Sequence, residues 1–267
     1  MSQVTVASLQ MISTPDWKAN LLEAARLIAE AADRGAKVML LPEYFCIMGM
    51  GDRAKLAIQE PYGEGPIQDF LAQQARQHEV YIIAGTLPIE SDQQDRVYNS
   101  TLVFDPDGQC MGRYDKIHLF CFNNGRESYN EANTLVAGKT PVVVDLAGLR
   151  VGLSVCYDLR FPELYRAMGK LDLIVVPAAF TYTTGKAHWE LLLRARAVEN
   201  QCYVLACGQG GQHENGRRTF GHSMLIDPWG EVLACEKEGA AVVCGVLDTD
   251  KIDQVRTSLP ALTHRVM

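Results

Sequence analysis

Residues 149–164 read LRVGLSVCYDLRFPEL, and the fold class turns on this stretch. Val151, Leu153 and Val155 alternate with small residues as along a buried strand, and Pro162 suits the first turn of a helix. Cys156 is thereby expected where the strand ends and the chain bends. Side chains at the carboxyl ends of strands face ligands while the strand behind holds them in place. A thiol in that position can serve as a nucleophile, and a sharp bend beside it exposes backbone N–H groups that can hold an anion. The alternative is a free cysteine packed as a small apolar residue.

Outward from this stretch, strands and helices alternate. Val4, Val6, Ser8 and Gln10 mark a first strand, and Thr14-Pro15 reads as the start of a helix whose apolar stripe runs from Leu21 to Ala32 and stops at Gly35. Residues 38–41 form a buried strand that runs into Pro42-Glu43, a carboxylate at another strand end. A helix over 66–77 and a strand over 80–85 follow, and then a hairpin in which residues 98–104 turn through Asp105-Pro106-Asp107-Gly108 and return to Lys116. The same phrases come back in the second half. Residues 203–208 echo 81–85, Asp227-Pro228-Trp229-Gly230 echoes the hairpin turn, and Val175-Val176-Pro177 echoes Leu40-Leu41-Pro42, with Ala178 in the place of Glu43.

Two such halves paired by a pseudo-two-fold predict an α/β fold, a four-layer α-β-β-α sandwich of two mixed sheets. Between the halves, residues 120–138 are polar and without periodicity and read as a functional loop. Residues 188–199 read as a helix, 208–218 as a flexible Gly-rich segment and 248–259 as a closing helix. With no linker-like tract, residues 1–267 are expected to form a single domain.

Composition narrows the partners. A chain of 267 residues, 48% hydrophobic, can bury a large core, and a net charge of −7 without a basic block argues against nucleic acid. No apolar run suits a bilayer and the first residues lack a signal pattern, so a cytoplasmic protein with reduced thiols is expected. The eight cysteines include no C-x-x-C pair, and no metal or cofactor is implied. His118, His188 and His222 cannot be placed beside Cys156 by spacing and are read as core or helix-start residues.

A thiol that opens an amide needs a base, a partner for the oxyanion and an acid for the leaving amine. Glu43 can be base and then acid; Lys116 can meet the oxyanion together with the Tyr157 N–H, and Glu131 can keep Lys116 charged. Taken singly, each has a plainer reading as a turn residue or a solvated charge, and Asn99-Ser100 reads as a polar pair holding the hairpin. Taken together, LLPE at Glu43, DKIHLF around Lys116 and SVCYDLRFPEL around Cys156, in that order, resemble the nitrilase superfamily of carbon–nitrogen hydrolases.

The resemblance spans nearly the whole chain. It implies Glu43 as base, Lys116 as oxyanion stabiliser, Cys156 as nucleophile, and Glu131, favoured over Glu127, as the second glutamate. It further implies a small-molecule amide substrate, no cofactor, and a homodimer or higher homo-oligomer built on the outer helices. The phrases AHWELLLRARAVENQCYV and FGHSMLIDPWG look like the deaminated-glutathione amidase branch, with an omega-amidase as the alternative. A substrate with several carboxylates calls for cations, and Arg217, Arg218 and His213 are the candidates. Two other classes stay open, an interaction module on the same fold and a redox-sensing thiol protein.

Overall fold

The alternation at the start of the chain forms β1 (Gln3–Gln10) in a computed structural model that describes residues 3–266. Next come α1 (Trp17–Asp33), β2 (Val38–Leu40), α2 (Pro66–His78), β3 (Tyr81–Ile83), β4 (Leu87–Glu90), β5 (Val97–Phe104) and β6 (Cys110–Asp115). α1 begins two residues later than expected. Asp16 caps it, accepting from the Lys18 and Ala19 N–H groups, because Thr14 is held back by a 2.8 Å bond from its N–H to Asn20 Oδ1. Its end is as read, with Gly35 at φ +81° just past the last turn.

The polar stretch after β6 is not one loop. It folds into the hairpin β7 (Cys121–Asn123) and β8 (Ser128–Asn130), then β9 (Leu135–Val136), which runs parallel beside β5. Their two- and three-residue lengths leave too few positions for an alternation to register.

The second half supplies β10 (Val142–Leu146), β11 (Leu149–Leu153), α3 (Pro162–Ala167), β12 (Leu173–Ala178), α4 (Tyr182–Asn200), β13 (Tyr203–Gly208), β14 (Ser223–Ile226), β15 (Val232–Glu236), β16 (Ala241–Asp248) and α5 (Thr249–Ser258). α4 starts six residues before the expected helix, at the point where Thr181 caps it through the Thr184 N–H. Its polar first turns hide it from an apolar-stripe reading. β16, absent from the sequence reading, crosses back to pair antiparallel with β1 along all eight residues.

The first sheet has eight strands, with β16-β1-β2-β3-β5-β6 as one path through it and β4 and β9 also paired with β5, and the second runs β10-β11-β12-β13-β14-β15. In both, the successive pairings are antiparallel, parallel, parallel, antiparallel, antiparallel. The internal repeat in the sequence is thus a repeat of topology.

Strand alternation then sorts the chain into four layers. Val4, Val6, Val38 and Leu40 turn to one side and join Val151, Leu153 and Val175 in a core between the sheets, while Ala7, Leu9, Met39 and Leu41 turn to the other and pack against Leu27 and Ile28 of α1. On the far side of the second sheet, Trp189 and Leu193 of α4 and Tyr165 of α3 complete the packing. Burying such residues is worth about 1.5–3 kcal/mol for each large apolar side chain.

Toward one end of the sandwich the core between the sheets becomes polar. The Ser8 hydroxyl donates to the Ala206 carbonyl at 2.9 Å, and Gln10 Oε1 accepts from the Ser223 N–H and hydroxyl at 3.0 and 2.7 Å. Residues 208–218, expected to be flexible, are held there as well. The Gly210 N–H donates to the Met11 carbonyl at 2.8 Å, and Gln209 Nε2 donates to Ser13 Oγ and to the Glu43 carbonyl at 2.7 and 3.1 Å. The partners lie far away in sequence, so composition alone suggested mobility.

Gly85 fixes the exit from β2. Its φ is +49°, and a Cβ there would lie 2.0 Å from the Pro42 carbonyl oxygen, one residue before Glu43. Gly85→Ala is therefore expected to destabilise the protein by about 1–3 kcal/mol in urea denaturation, while a control alanine at Gly51, which has open space, shifts the midpoint little.

Candidate active site

Three strands of the sandwich deliver three side chains to one place. β2 runs through Leu41 and Pro42 to Glu43, which is 1% exposed; β6 hands the chain on to Lys116, which is 0% exposed; and β11 leads to Cys156. All three lie just past the carboxyl ends of their strands, where backbone groups leave the ladder and side chains are free to converge.

Lys116 is the centre of the cluster. Its Nζ lies 2.8 Å from Glu43 Oε1 and 2.8 Å from Glu131 Oε2. Each carboxylate is held by further donors. Glu43 Oε1 accepts from Asn99 Nδ2 at 3.0 Å, and Glu43 Oε2 from the Ala179 N–H at 2.8 Å. Glu131 accepts from the Tyr44 hydroxyl at 3.0 Å and the Phe120 N–H at 2.7 Å. Burial alone would drive the Lys116 ammonium toward its neutral form, but Glu131 and Glu43 outweigh it and hold its pKa well above the ordinary value. Burial likewise works against Glu131, and Lys116 with the Phe120 N–H holds that carboxyl below its usual range.

Cys156 occupies a strained bend. It sits at φ +50°, a left-handed conformation unusual for a residue with a Cβ, and opens the short 3-10 turn Cys156–Arg160. The bend is braced from within by the fully buried Asp158. One carboxylate oxygen accepts from the Val155 N–H at 2.8 Å and the Tyr114 hydroxyl at 2.7 Å; the other accepts from the His118 N–H at 3.0 Å and from His118 Nδ1–H at 2.7 Å. Asp158 thus ties the Cys156 bend to the segment that carries Lys116. His118, read as a core or helix-start residue, is instead a partner in this brace, stacked on Phe161 at 3.7 Å between centroids.

Burial raises the Cys156 pKa well above that of a free thiol, and the negative charge of the neighbouring Glu43 carboxylate raises it further. The resting group is therefore a protonated thiol with a carboxylate beside it. Cys156, Glu43, Tyr157, Ala179 and Arg217 line a small inner chamber that shares Phe120, Glu131 and Arg217 with an outer cavity of about 480 Å³.

The structure separates the two glutamate candidates: Glu131 reaches Lys116, whereas Glu127 accepts from the Thr183 hydroxyl at 2.8 Å. It also separates the three cationic candidates. Arg217 lines both chambers, its guanidinium over the Tyr129 ring at 4.9 Å, and its Nε has no hydrogen-bond partner among the described residues. Arg218 lines the outer cavity but pairs with Glu238 at 2.8 Å and lies over Tyr182 at 3.8 Å. His213 lines neither chamber. It donates Nδ1–H to the Ser13 carbonyl and accepts at Nε2 from the Thr219 hydroxyl, both at 2.9 Å, and so braces its own loop.

Two contributors had no clear signal in the sequence. Asn99 stood in a pair read as structural, and it is the residue that meets Glu43. The Ala179 N–H follows Ala178, the position that matches Glu43 in the repeat; the second copy of the turn lends a backbone donor to the carboxylate of the first.

An α-β-β-α sandwich whose strand ends bring a buried lysine, two carboxylates and a thiol together defines a class of hydrolase. The chain belongs to the carbon–nitrogen hydrolase family, whose model matches residues 5–257. A deaminated glutathione amidase of Synechocystis is 41% identical over 272 residues, covering 100% of this chain and 99% of that protein. A chloroplastic omega-amidase of Arabidopsis thaliana is 38% identical, covering 99% of this chain and 73% of the relative. Among solved structures, a Saccharomyces cerevisiae member of branch 10 of the nitrilase superfamily is 30% identical and superposes with a TM-score of 0.88, over 100% of this chain and 97% of that one.

Replacing Lys116 with methionine leaves two buried carboxylates facing one another. Urea denaturation at neutral pH is expected to show a loss of about 3–5 kcal/mol. The sign of the pH dependence follows from the depressed Glu131 pKa: wild type keeps this stabilisation above the ordinary carboxylate range and loses it as pH falls through the depressed value. The Lys116→Met deficit should accordingly shrink in acid; a deficit independent of pH contradicts this electrostatic account.

Proposed function

We propose that the chain is a cofactor-free cysteine amidase that cleaves a carbon–nitrogen bond through a thioester on Cys156. The observation that carries this reading is the convergence of the Cys156 thiol and the Glu43 carboxylate in one chamber, with the fully buried Lys116 ammonium 2.8 Å behind that carboxylate. Glu43 takes the thiol proton as sulfur attacks the amide carbon, since a raised thiol pKa calls for a base at the moment of attack. The carbonyl oxygen becomes negative and is met by Lys116 Nζ and the Tyr157 N–H. Glu43 returns its proton to the departing nitrogen, the amine leaves, and Cys156 holds the acyl group. Water then gives a proton to Glu43 and attacks the thioester carbon. The acid departs, and the proton goes back to sulfur. Glu131 keeps Lys116 charged and aimed throughout.

The relatives named deaminated glutathione amidases, at 36–41% identity, support an acyl group carrying its own carboxylate, and the half-buried, incompletely partnered Arg217 is the group suited to receive it. The substrate reading is deaminated glutathione, cut to 2-oxoglutarate and cysteinylglycine. The omega-amidase relative supports 2-oxoglutaramate as the second reading, because the two amides share an acyl group and differ in what leaves. Eight unpaired cysteines favour a reducing, cytoplasmic setting. Leu191 and Val198, exposed seven residues apart on α4 near exposed Trp229, favour pairing of two copies across that helix.

Turnover of deaminated glutathione and 2-oxoglutaramate by wild type, Cys156→Ala and Glu43→Gln tests the proposal. Both variants are expected to lose at least about 10³-fold in kcat while keeping the wild-type melting temperature within a few degrees. Retained activity in Cys156→Ala would sink the thioester route. The better substrate by kcat/KM decides between the two branches.

A further inference from the structure

Besides Arg217 and the two exposed arginines Arg126 and Arg218, the outer cavity is lined by a half-buried lysine that the chemistry above does not use. Lys55, on the 3-10 segment Ala54–Ile58, points its ammonium into the lining of the cavity, over the Tyr44 ring at 5.5 Å from the centroid. One of its three N–H donors goes to Thr134 Oγ1 at 3.0 Å. Among the described residues no carboxylate lies within 4.0 Å of it; Asp52 and Glu131 act on it from farther away. Burial lowers its pKa by more than the distant Glu131 and Asp52 charges restore. A half-buried ammonium with spare donors on a cavity wall is the arrangement expected of an anion subsite.

Its position relative to the reacting atoms sets which anion. Arg217 lines the inner chamber beside Cys156 and the outer cavity as well, whereas Lys55 lines the outer cavity alone. Between Lys55 and the reacting centre stands Tyr44, whose ring carries the Lys55 ammonium on one side and whose hydroxyl reaches Glu131 on the other. The cation nearer the nucleophile suits a carboxylate on the acyl group. The outer one suits a carboxylate at the far end of the leaving group.

Building on the amidase reading, we propose that Lys55 is a specificity residue, a subsite for a terminal carboxylate on the leaving amine, so that the site selects amides with a carboxylate at each end. The leaving group preferred is then a short peptide or amino acid with a free carboxyl terminus, over ammonia or an uncharged amine.

The test uses deaminated glutathione and the same compound with its terminal carboxylate replaced by a carboxamide. Wild type is expected to favour the carboxylate by about 10–100-fold in kcat/KM, the range for one charge-assisted contact in a partly desolvated site. Lys55→Met should bring that ratio to about one, through KM, and Lys55→Arg, which keeps the charge, should restore most of it. A ratio unchanged in Lys55→Met, or lost equally in Lys55→Arg, overturns the subsite. If wild type cleaves neither compound, the substrate reading fails by itself; Cys156→Ala protein titrated with the two compounds then decides the subsite, and equal affinity or no binding overturns it.

Discussion

A lysine ammonium with no access to water stands between two carboxylates, and the remainder of the site depends on it. An isolated charge in such a place would neutralise or carry a cost of several kcal/mol. Here Lys116 meets Glu43 and Glu131 at 2.8 Å each, and those carboxylates draw further bonds from Asn99, Ala179, Tyr44 and Phe120. Every group is spoken for, which is the condition under which a buried polar network holds a single geometry. The net charge of the triad is −1 with the thiol protonated. Burial, with the Glu43 carboxylate beside it, keeps the Cys156 proton in place until an electrophile arrives.

The duplicated topology accounts for how such a network can be assembled. Each sheet brings its strand ends to the same polar end of the sandwich, and the corresponding turns after β2 and β12 have diverged: one presents the Glu43 carboxylate, the other a backbone N–H that fixes it. Cys156 comes from the second sheet and Lys116 from the first, so the reacting groups lie across the seam between halves. Asp158 crosses that seam too, bonded to the Cys156 bend and to the Tyr114 and His118 groups flanking Lys116. Rigidity on both sides of a seam is a means of holding reactive groups within fractions of an ångström.

Much of this was legible in the residues. Val38 to Leu41 and Val151 to Val155 are apolar runs interrupted by a proline or a polar bend, so the placement of Glu43 and Cys156 at strand ends follows from local pattern. The two Asp-Pro-x-Gly turns made the repeat, and with it the layered fold, readable. Other features had no local signature. β16 finds its partner almost the full length of the chain away, and its recognition needed the register with β1. The start of α4 is polar, and the segment around Gly210 is held by distant partners. The Ala179 N–H carries no residue-type signal, since any amino acid supplies it. His213 looked like a substrate group because histidine is versatile, and only the packing shows both its ring nitrogens engaged.

The central claim is that carbon–nitrogen cleavage passes through Cys156 as an acyl carrier. Rapid acid quench of wild-type protein during turnover of deaminated glutathione, followed by peptide mass spectrometry, tests it most directly. The account predicts a 2-oxoglutaryl thioester on the peptide containing Cys156 and on none of the other seven cysteines. Steady product formation with Cys156 unmodified throughout, or acyl label on a different residue, would contradict it.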